Sequence, residues 1–304
     1  MKRFLGLILV LALVCGAPAA SAAKRGARET SQAPFEVYFL SQGRVDAILL
    51  RCGNAWAFID SGFRINGVRS VSFMKKLGIE KLTYYIGSHG HENHIGGAGP
   101  IIAAFNPDRV YINRSATRSA IINFAQPGNE RKAAMRASYK IMKRGSVIPF
   151  GPGAITCVGP LTMSNCSSGA TSENANSLIF RVDYQGHSIL FTGDSNTGVL
   201  NKIYQRDPSA LAAEVFKNPH HHATMPQSIL RRVKPAFVIV CSNQNASSTY
   251  RKRAQAMGIT LLSNAKKLNR NIHLRLEGDT WVHVQAQPDD PPTTAARFLR
   301  RAAS

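Results

Sequence analysis

Three histidines fall within six residues, His89, His91 and His94, in the stretch GSHGHENHIGG that follows an apolar run. Imidazole nitrogen suits zinc. Alternate residues on an extended stretch can aim two rings at one ion while the start of a helix aims a third beside it. The spacings would be erratic on one helix face, so the stretch reads as a loop leaving a strand and entering a helix at Gly96 and Gly97. Its one carboxylate is Glu92. Asn93 stands where a metal loop of this shape calls for aspartate, and an amide oxygen neither offsets a cation nor accepts a proton.

Two later stretches add chemistry of the same kind. Asp194 ends the apolar run SILFTGD, where a carboxylate at a strand edge can bridge two cations. The loop NPHHHATMP supplies His220, His221 and His222. A strand-ending aspartate alone is often a helix cap, and a histidine run alone is often surface. All three motifs at strand ends together define a metal site.

The elements that must position these residues are short and mixed. FEVYFL, DAILLRC and AWAFID read as antiparallel strands joined by tight turns. NGVRSVSFMKKLG reads as a helix closed by Gly78, LTYYIG as the strand before the histidine loop, GGAGPIIAAF as a helix and RVYIN as a strand. Residues 116–143 read as polar and helical. A second half repeats the mixture: strand ITCVG, a Ser/Asn-rich loop, strands NSLIFRVDY and HSILFTGD about the turn QG, and a helix from near Asn196. AEVFKN, helix QSILRRV, strand AFVIVCS, a helix near YRKRAQAMG and a final strand pair across Gly278 and Asp279 follow. Two mixed halves imply an α+β domain with two facing sheets and helices outside.

The chain has 304 residues, 44% of them hydrophobic, enough for a sizeable core and too apolar for a disordered protein. Lys2 and Arg3, an apolar run and small residues at Ala20 and Ala22 follow the order of a secretory signal, so 1–23 is expected to be a cleaved leader and the protein to be secreted or periplasmic; an N-terminal membrane anchor is the alternative, for which the run is short. Residues 24–34 form a polar leader, 35–286 the folded domain and 287–304 a flexible basic tail. No later stretch is long and apolar enough to span a membrane. Cys52, Cys157, Cys166 and Cys241 then allow three complete disulfide pairings, with Cys157–Cys166 the local candidate, and spacing alone equally allows four buried reduced thiols. Lys and Arg number 38 against 17 acidic residues, a net of +21, which makes nucleic acid or another polyanion a candidate partner, beside a solvated basic surface with no specific partner, since the basic residues are spread along the chain.

The motifs together resemble a known family. HGHENH is similar to the HxHxDH loop of the metallo-β-lactamase fold, FIDSG to its early aspartate motif and FTGD to its later one. YFLSQGRVDAILLRCGNAWAFIDSG, NSLIFRVDYQGHSILFTGD and NPHHHATMPQSILRRVKPAFVIV resemble, more closely, the metallo-hydrolase domain of the ComEC-type competence DNA-uptake channels. The likeness runs from about Phe35 to Val284. It implies a four-layer αββα sandwich holding one or two zinc ions, with manganese as an alternative. His89 and His91 would hold a first ion; His94, with His221 or else His220, would hold a second. Asp194 would bridge, Asn93 would take the place of a ligating aspartate, and Asp60 would stand behind the histidine loop. Asn93 and Asp194 would be the catalytic pair.

The sequence departs from the family at three places. Asn93 replaces aspartate, His222-Ala223 replaces Gly-Ser, and SQGRVD keeps Asp46 with residues inserted ahead of it. SENANSLIF also lacks the lone histidine that many members carry there, an absence that the competence branch shares. The resemblance implies a metal-dependent hydrolase, a phosphodiesterase or nuclease acting on DNA or another anionic polymer through a metal-activated water. Hydrolysis of a small lactone or β-lactam is the second reading. A catalytically reduced basic protein that binds nucleic acid or polymer is the third, and Asn93 is its best support.

Overall fold

In the strand Phe35–Phe39 (β1), Phe35, Val37 and Phe39 are buried on one face while Glu36 and Tyr38 take the other, the period of two that a pleated strand imposes. The same alternation puts Ile272, Leu274 and Leu276 of β14 (Ile272–Glu277) into the same core. The computed structural model describes residues 32–114, 117–163, 170–221, 223–265 and 270–284. The segment 1–23, most of 24–34, Cys166, His222 and the tail 287–304 lie outside the described residues.

One sheet joins β1, β2 (Ala47–Cys52), β3 (Ala55–Ser61), β4 (Tyr84–Gly87), β5 (Arg109–Ile112), β6 (Tyr139–Ile141), β14 and β15 (Thr280–Val284), in the order β15-β14-β1-β2-β3-β4-β5-β6. The other joins β7 (Val147–Phe150), β8 (Gly153–Gly159), β9 (Ile179–Tyr184), β10 (His187–Phe191), β11 (Val215–Lys217), β12 (Phe237–Val240) and β13 (Thr260–Ser263), in the order β13-β12-β11-β10-β9-β8-β7. Each sheet is antiparallel in one part and parallel in the other, the parallel runs being β3 to β6 and β10 to β13.

The sheets face each other. Phe39, Ile48 and Ile59 of the first share a core with Phe180, Phe191 and Ile239 of the second. The outer face of the first sheet is covered by α1 (Arg64–Lys76), α3 (Ala98–Phe105), α4 (Thr117–Phe124) and α5 (Asn129–Arg136), through Met74, Ile101, Phe105 and Ile121. The outer face of the second is covered by α7 (Thr197–Arg206), α8 (Gln227–Val233) and α9 (Ser248–Ala256), through Leu200, Ile229 and Tyr250. A strand buried on both faces reads as a continuous apolar run, which is why β12 is FVIV rather than alternating. The result is the expected αββα sandwich.

Two expectations are corrected. Residues 116–143 are not helical throughout: Tyr139–Ile141 form an edge strand, parallel to β5, and three residues at an edge are too few for a period to show. Cys157 is a free, buried thiol whose Sγ–H donates to the Gly159 carbonyl at 3.2 Å. Cys52 and Cys241 are also free. Every complete pairing of the four cysteines needs a bond within this trio, so none of the three pairings is present.

On the outward side of β1, Glu36 accepts from Arg51 Nη1 (3.1 Å) and Tyr38 Oη (3.1 Å), with His273 Nε2 at 2.8 Å. Burial works to raise its pKa, but His273, Arg51 and Tyr38 outweigh it and hold the carboxyl below its ordinary value. A folded-state pKa below the unfolded one of about 4.3 stabilises the fold above that pH and ceases to do so as the pH falls through the folded value. Glu36→Gln is therefore expected to flatten the acid-side fall in melting temperature below about pH 4.3; an unchanged slope contradicts the assignment.

Candidate metal centre

The parallel strands of both sheets end at one edge, and the polar residues gather there. Asp60 lies near the end of β3, Ser88 and His89 follow β4, Asp194 follows β10, Lys217 ends β11 and Cys241 follows β12. Ligand sites of open α/β sheets form in this place, outside the carboxyl ends of parallel strands. The backbone carries strain there: Asp60, His220 and His221 all have positive φ, at 51°, 51° and 53°. Each such residue costs on the order of 1–3 kcal/mol, a cost that persists where the surroundings enforce it.

The histidine loop is pinned to the end of β3. Gly97 N donates to Gly62 O at 2.8 Å, and a Cβ at Gly97 would meet Ser61 O at 2.6 Å and Gly67 Cα at 2.7 Å. Only glycine permits that approach. Asp60 fixes the loop from behind, accepting from Ser88 N and Ser88 Oγ, each at 2.8 Å, and facing His94 Nδ1 at 2.8 Å.

Inside the cleft, His94 Nε2 and Asp194 Oδ1 lie 3.1 Å apart, both buried, and neither has a hydrogen bond to any other group. Together with His89 they form a group of three donor atoms within 4.8 Å of one another. His89 Nε2 faces His91 Nδ1 at 3.0 Å. Two ligands of a tetrahedral ion with bonds of 2.0–2.1 Å lie about 3.3 Å apart, so these separations suit atoms that share a cation. The residues fit a metal.

Electrostatics point the same way. Burial, then the neighbouring His94, holds the His89 pKa well below its usual value, so the ring is neutral and able to ligate. For His94 burial opposes protonation, but the Asp194 and Asp60 carboxylates push its pKa up to about 10. Without a metal, a proton supplies the positive charge these carboxylates demand. Burial works to raise Asp194, but His94, His221 and Lys217 hold it well below the carboxylate range.

His221 is buried, its Nε2 3.6 Å from Asp194 Oδ2 and its Nδ1 3.1 Å from the Cys241 carbonyl. His220 is half-exposed, with Nε2 4.0 Å from Asp194 Oδ2. Asn93 Nδ2 faces His221 Nε2 at 3.0 Å. His91 lies at the more open edge. The structure thus gathers His89, His91, Asn93, His94, Asp194 and His221 around one cleft with Asp60 behind it, and His220 at its rim.

Three participants were given no role from the sequence, Asp46 having been noted only as a retained family position. Lys217 is fully buried, its ammonium paired with Asp46 and donating to the Gly193 carbonyl at 3.0 Å. Asp46 stands behind two rings, 3.7 Å from His94 Nδ1 and 3.6 Å from His221 Nδ1. Ser177 Oγ accepts from Asp194 N at 3.0 Å and lies 3.3 Å from His89 Nδ1, in the stretch where a middle histidine is absent. A lysine closing the apolar strand VFK was the one available signal for Lys217, since lone charges are rarely buried unless paired.

No protein-family model matches the sequence, and no curated protein is found similar to it. Solved structures do match in fold. The metallo-β-lactamase fold protein YhfI from Bacillus subtilis superposes with a TM-score of 0.52 at 13% identity, over 79% of this chain and 99% of that one. CmlA, a diiron β-hydroxylase from Streptomyces venezuelae, gives 0.53 at 11% identity over 81% of this chain; the match spans 55% of CmlA. The chain therefore has the metallo-β-lactamase fold. At these identities the likeness settles architecture, and the chemistry rests on the cleft.

Proposed function

We propose that this protein is a metal-dependent hydrolase that cleaves phosphodiester bonds in DNA or another anionic polymer, as its ComEC-like motifs imply. The observation that carries the reading is the convergence of His89, His94 and Asp194, with His94 Nε2 and Asp194 Oδ1 buried, 3.1 Å apart and bonded to no other group. A donor set rich in imidazole with one carboxylate suits zinc, and manganese is the alternative. A cation held there supplies a Lewis acid that polarises the scissile group and makes water more acidic. The chain's own residues orient it: Asp60 and the Cys241 carbonyl set the ring tautomers of His94 and His221, and Ser177 and Lys217 hold the N–H and the carbonyl of the Gly193–Asp194 peptide.

The preference for an anionic substrate rests on charge. A cavity of 730 Å³ reaches Leu178, next to Ser177 of the centre, and is lined by Arg114, Lys143 and Arg144. A neighbouring cavity of 770 Å³ shares Arg144 and adds Lys202 and Arg206. Cations along a groove hold a phosphate backbone without reading bases, and such binding weakens steeply with salt. Among the described residues no helix is long and apolar enough to cross a membrane. The N-terminal leader, read as a secretory signal, would deliver the protein to the periplasm or medium.

The test is hydrolysis by the metal-loaded protein of linear DNA and of bis(p-nitrophenyl) phosphate, beside a β-lactam and a lactone. Phosphodiester cleavage that stops with chelator and falls with salt for DNA is expected. Lactone or β-lactam turnover without phosphodiester cleavage would replace this substrate class with the small-molecule one. DNA binding without any turnover would favour the basic binding protein.

A further inference from the structure

Asn93 and Lys217 both bear on how many cations the centre can hold. His221 Nδ1 faces the Cys241 carbonyl at 3.1 Å, an acceptor with no proton to give, so the ring proton sits on Nδ1. In the neutral ring the lone pair is then on Nε2, which faces the Asn93 side-chain nitrogen at 3.0 Å. Asn93 is the donor. The hydrogen bond occupies the lone pair that a metal would otherwise take. An aspartate at 93 could not do this, because an ionised carboxylate only accepts and would meet the lone pair with its own. A cation between the two would then be the natural bridge.

The second group of clustered ligand atoms, Asp46, Asp60 and His94 Nδ1, lies behind the rings and already contains a cation. The Lys217 ammonium pairs with Asp46, and the His94 Nδ1 side is taken up by Asp60. Among the described residues the other group of three converging ligands, His89, His94 and Asp194, contains no lysine or arginine, and the only positive charge it can gain without a metal is an exchangeable proton on His94.

We propose that the centre takes a single divalent cation at His89, His94 and Asp194, and that Asn93 keeps the adjoining position closed by hydrogen-bonding His221. The inference rests on the reading of the cleft as a metal site. It makes Asn93 a residue fitted to a one-ion centre rather than a damaged ligand.

The experiment is a zinc count by native mass spectrometry and elemental analysis on the purified chain and three variants, with zinc as the only metal supplied. One ion is expected in the wild type and two in Asn93→Asp. The second is expected to be lost again in Asn93→Asp/His221→Ala, while His221→Ala alone keeps one. Two ions in the wild type, one in Asn93→Asp, or loss of the ion in His221→Ala would each overturn the proposal. No zinc in any of the proteins would overturn it by removing the metal reading beneath it, an outcome distinct from a wrong count.

Discussion

His94→Ala is expected to abolish tight metal binding while leaving the sandwich folded. The ring is fully buried and uses both nitrogens, Nδ1 toward Asp60 at 2.8 Å and Nε2 toward Asp194 at 3.1 Å. Its removal takes away a ligand and also the link between the cleft and the Asp60 support. Losing an outer partner of a metal ligand typically costs roughly 10–100-fold in affinity, and loss of the ligand itself should exceed that. Equilibrium dialysis with zinc, alongside circular dichroism as a check on folding, measures the effect. Asp60→Asn, which keeps the shape and removes the charge behind His94, should fall in the 10–100-fold range. Unchanged zinc affinity in His94→Ala would mean that the ion, if any, lies elsewhere.

Lys217→Met is expected to produce the largest loss of stability. Lys217 and Asp46 are each only 1% exposed and pair with one another. Methionine keeps most of the volume but leaves the Asp46 carboxylate buried without its cation and the Gly193 carbonyl without its donor. Breaking a buried pair from one side costs about 3–5 kcal/mol, most of it the uncompensated charge that remains. Adding Asp46→Asn should restore much of that, because the orphaned charge goes with it. Urea unfolding of the wild type, Lys217→Met and the double variant measures both quantities. A single variant as stable as the wild type, or a double variant worse than the single, would contradict the pairing.

Much of this architecture was legible from residue patterns. Strong alternation or unbroken apolar runs marked β1, β3, β10 and β12, because each buries at least one whole face. The histidine loop could be placed at a strand end from its flanking glycines, and Gly97 proves to lie where a Cβ would strike Ser61 O at 2.6 Å. What escaped was what local pattern does not carry. The edge strand Tyr139–Ile141 is three residues long, with two of them exposed. Lys217 looks like any lysine in VFKN until β11 is seen between β10 and β12, where neither face reaches water. Asp46 was visible only as a retained family position; its place behind His94 and His221 depends on the β2–β3 hairpin meeting the second sheet. The part played by Asn93 depended on a partner 128 residues away, and the donor direction followed only from the Cys241 carbonyl on the far side of His221.

His89, His94 and Asp194 together are read as the seat of a divalent cation. Elemental analysis of the full chain, purified without a histidine tag and dialysed against zinc or manganese and then against buffer, tests that reading directly. Close to one divalent ion per chain is expected, lost with chelator and absent from His94→Ala. A chain that retains no ion after metal is supplied would contradict the reading and leave a basic protein on a metallo-β-lactamase scaffold.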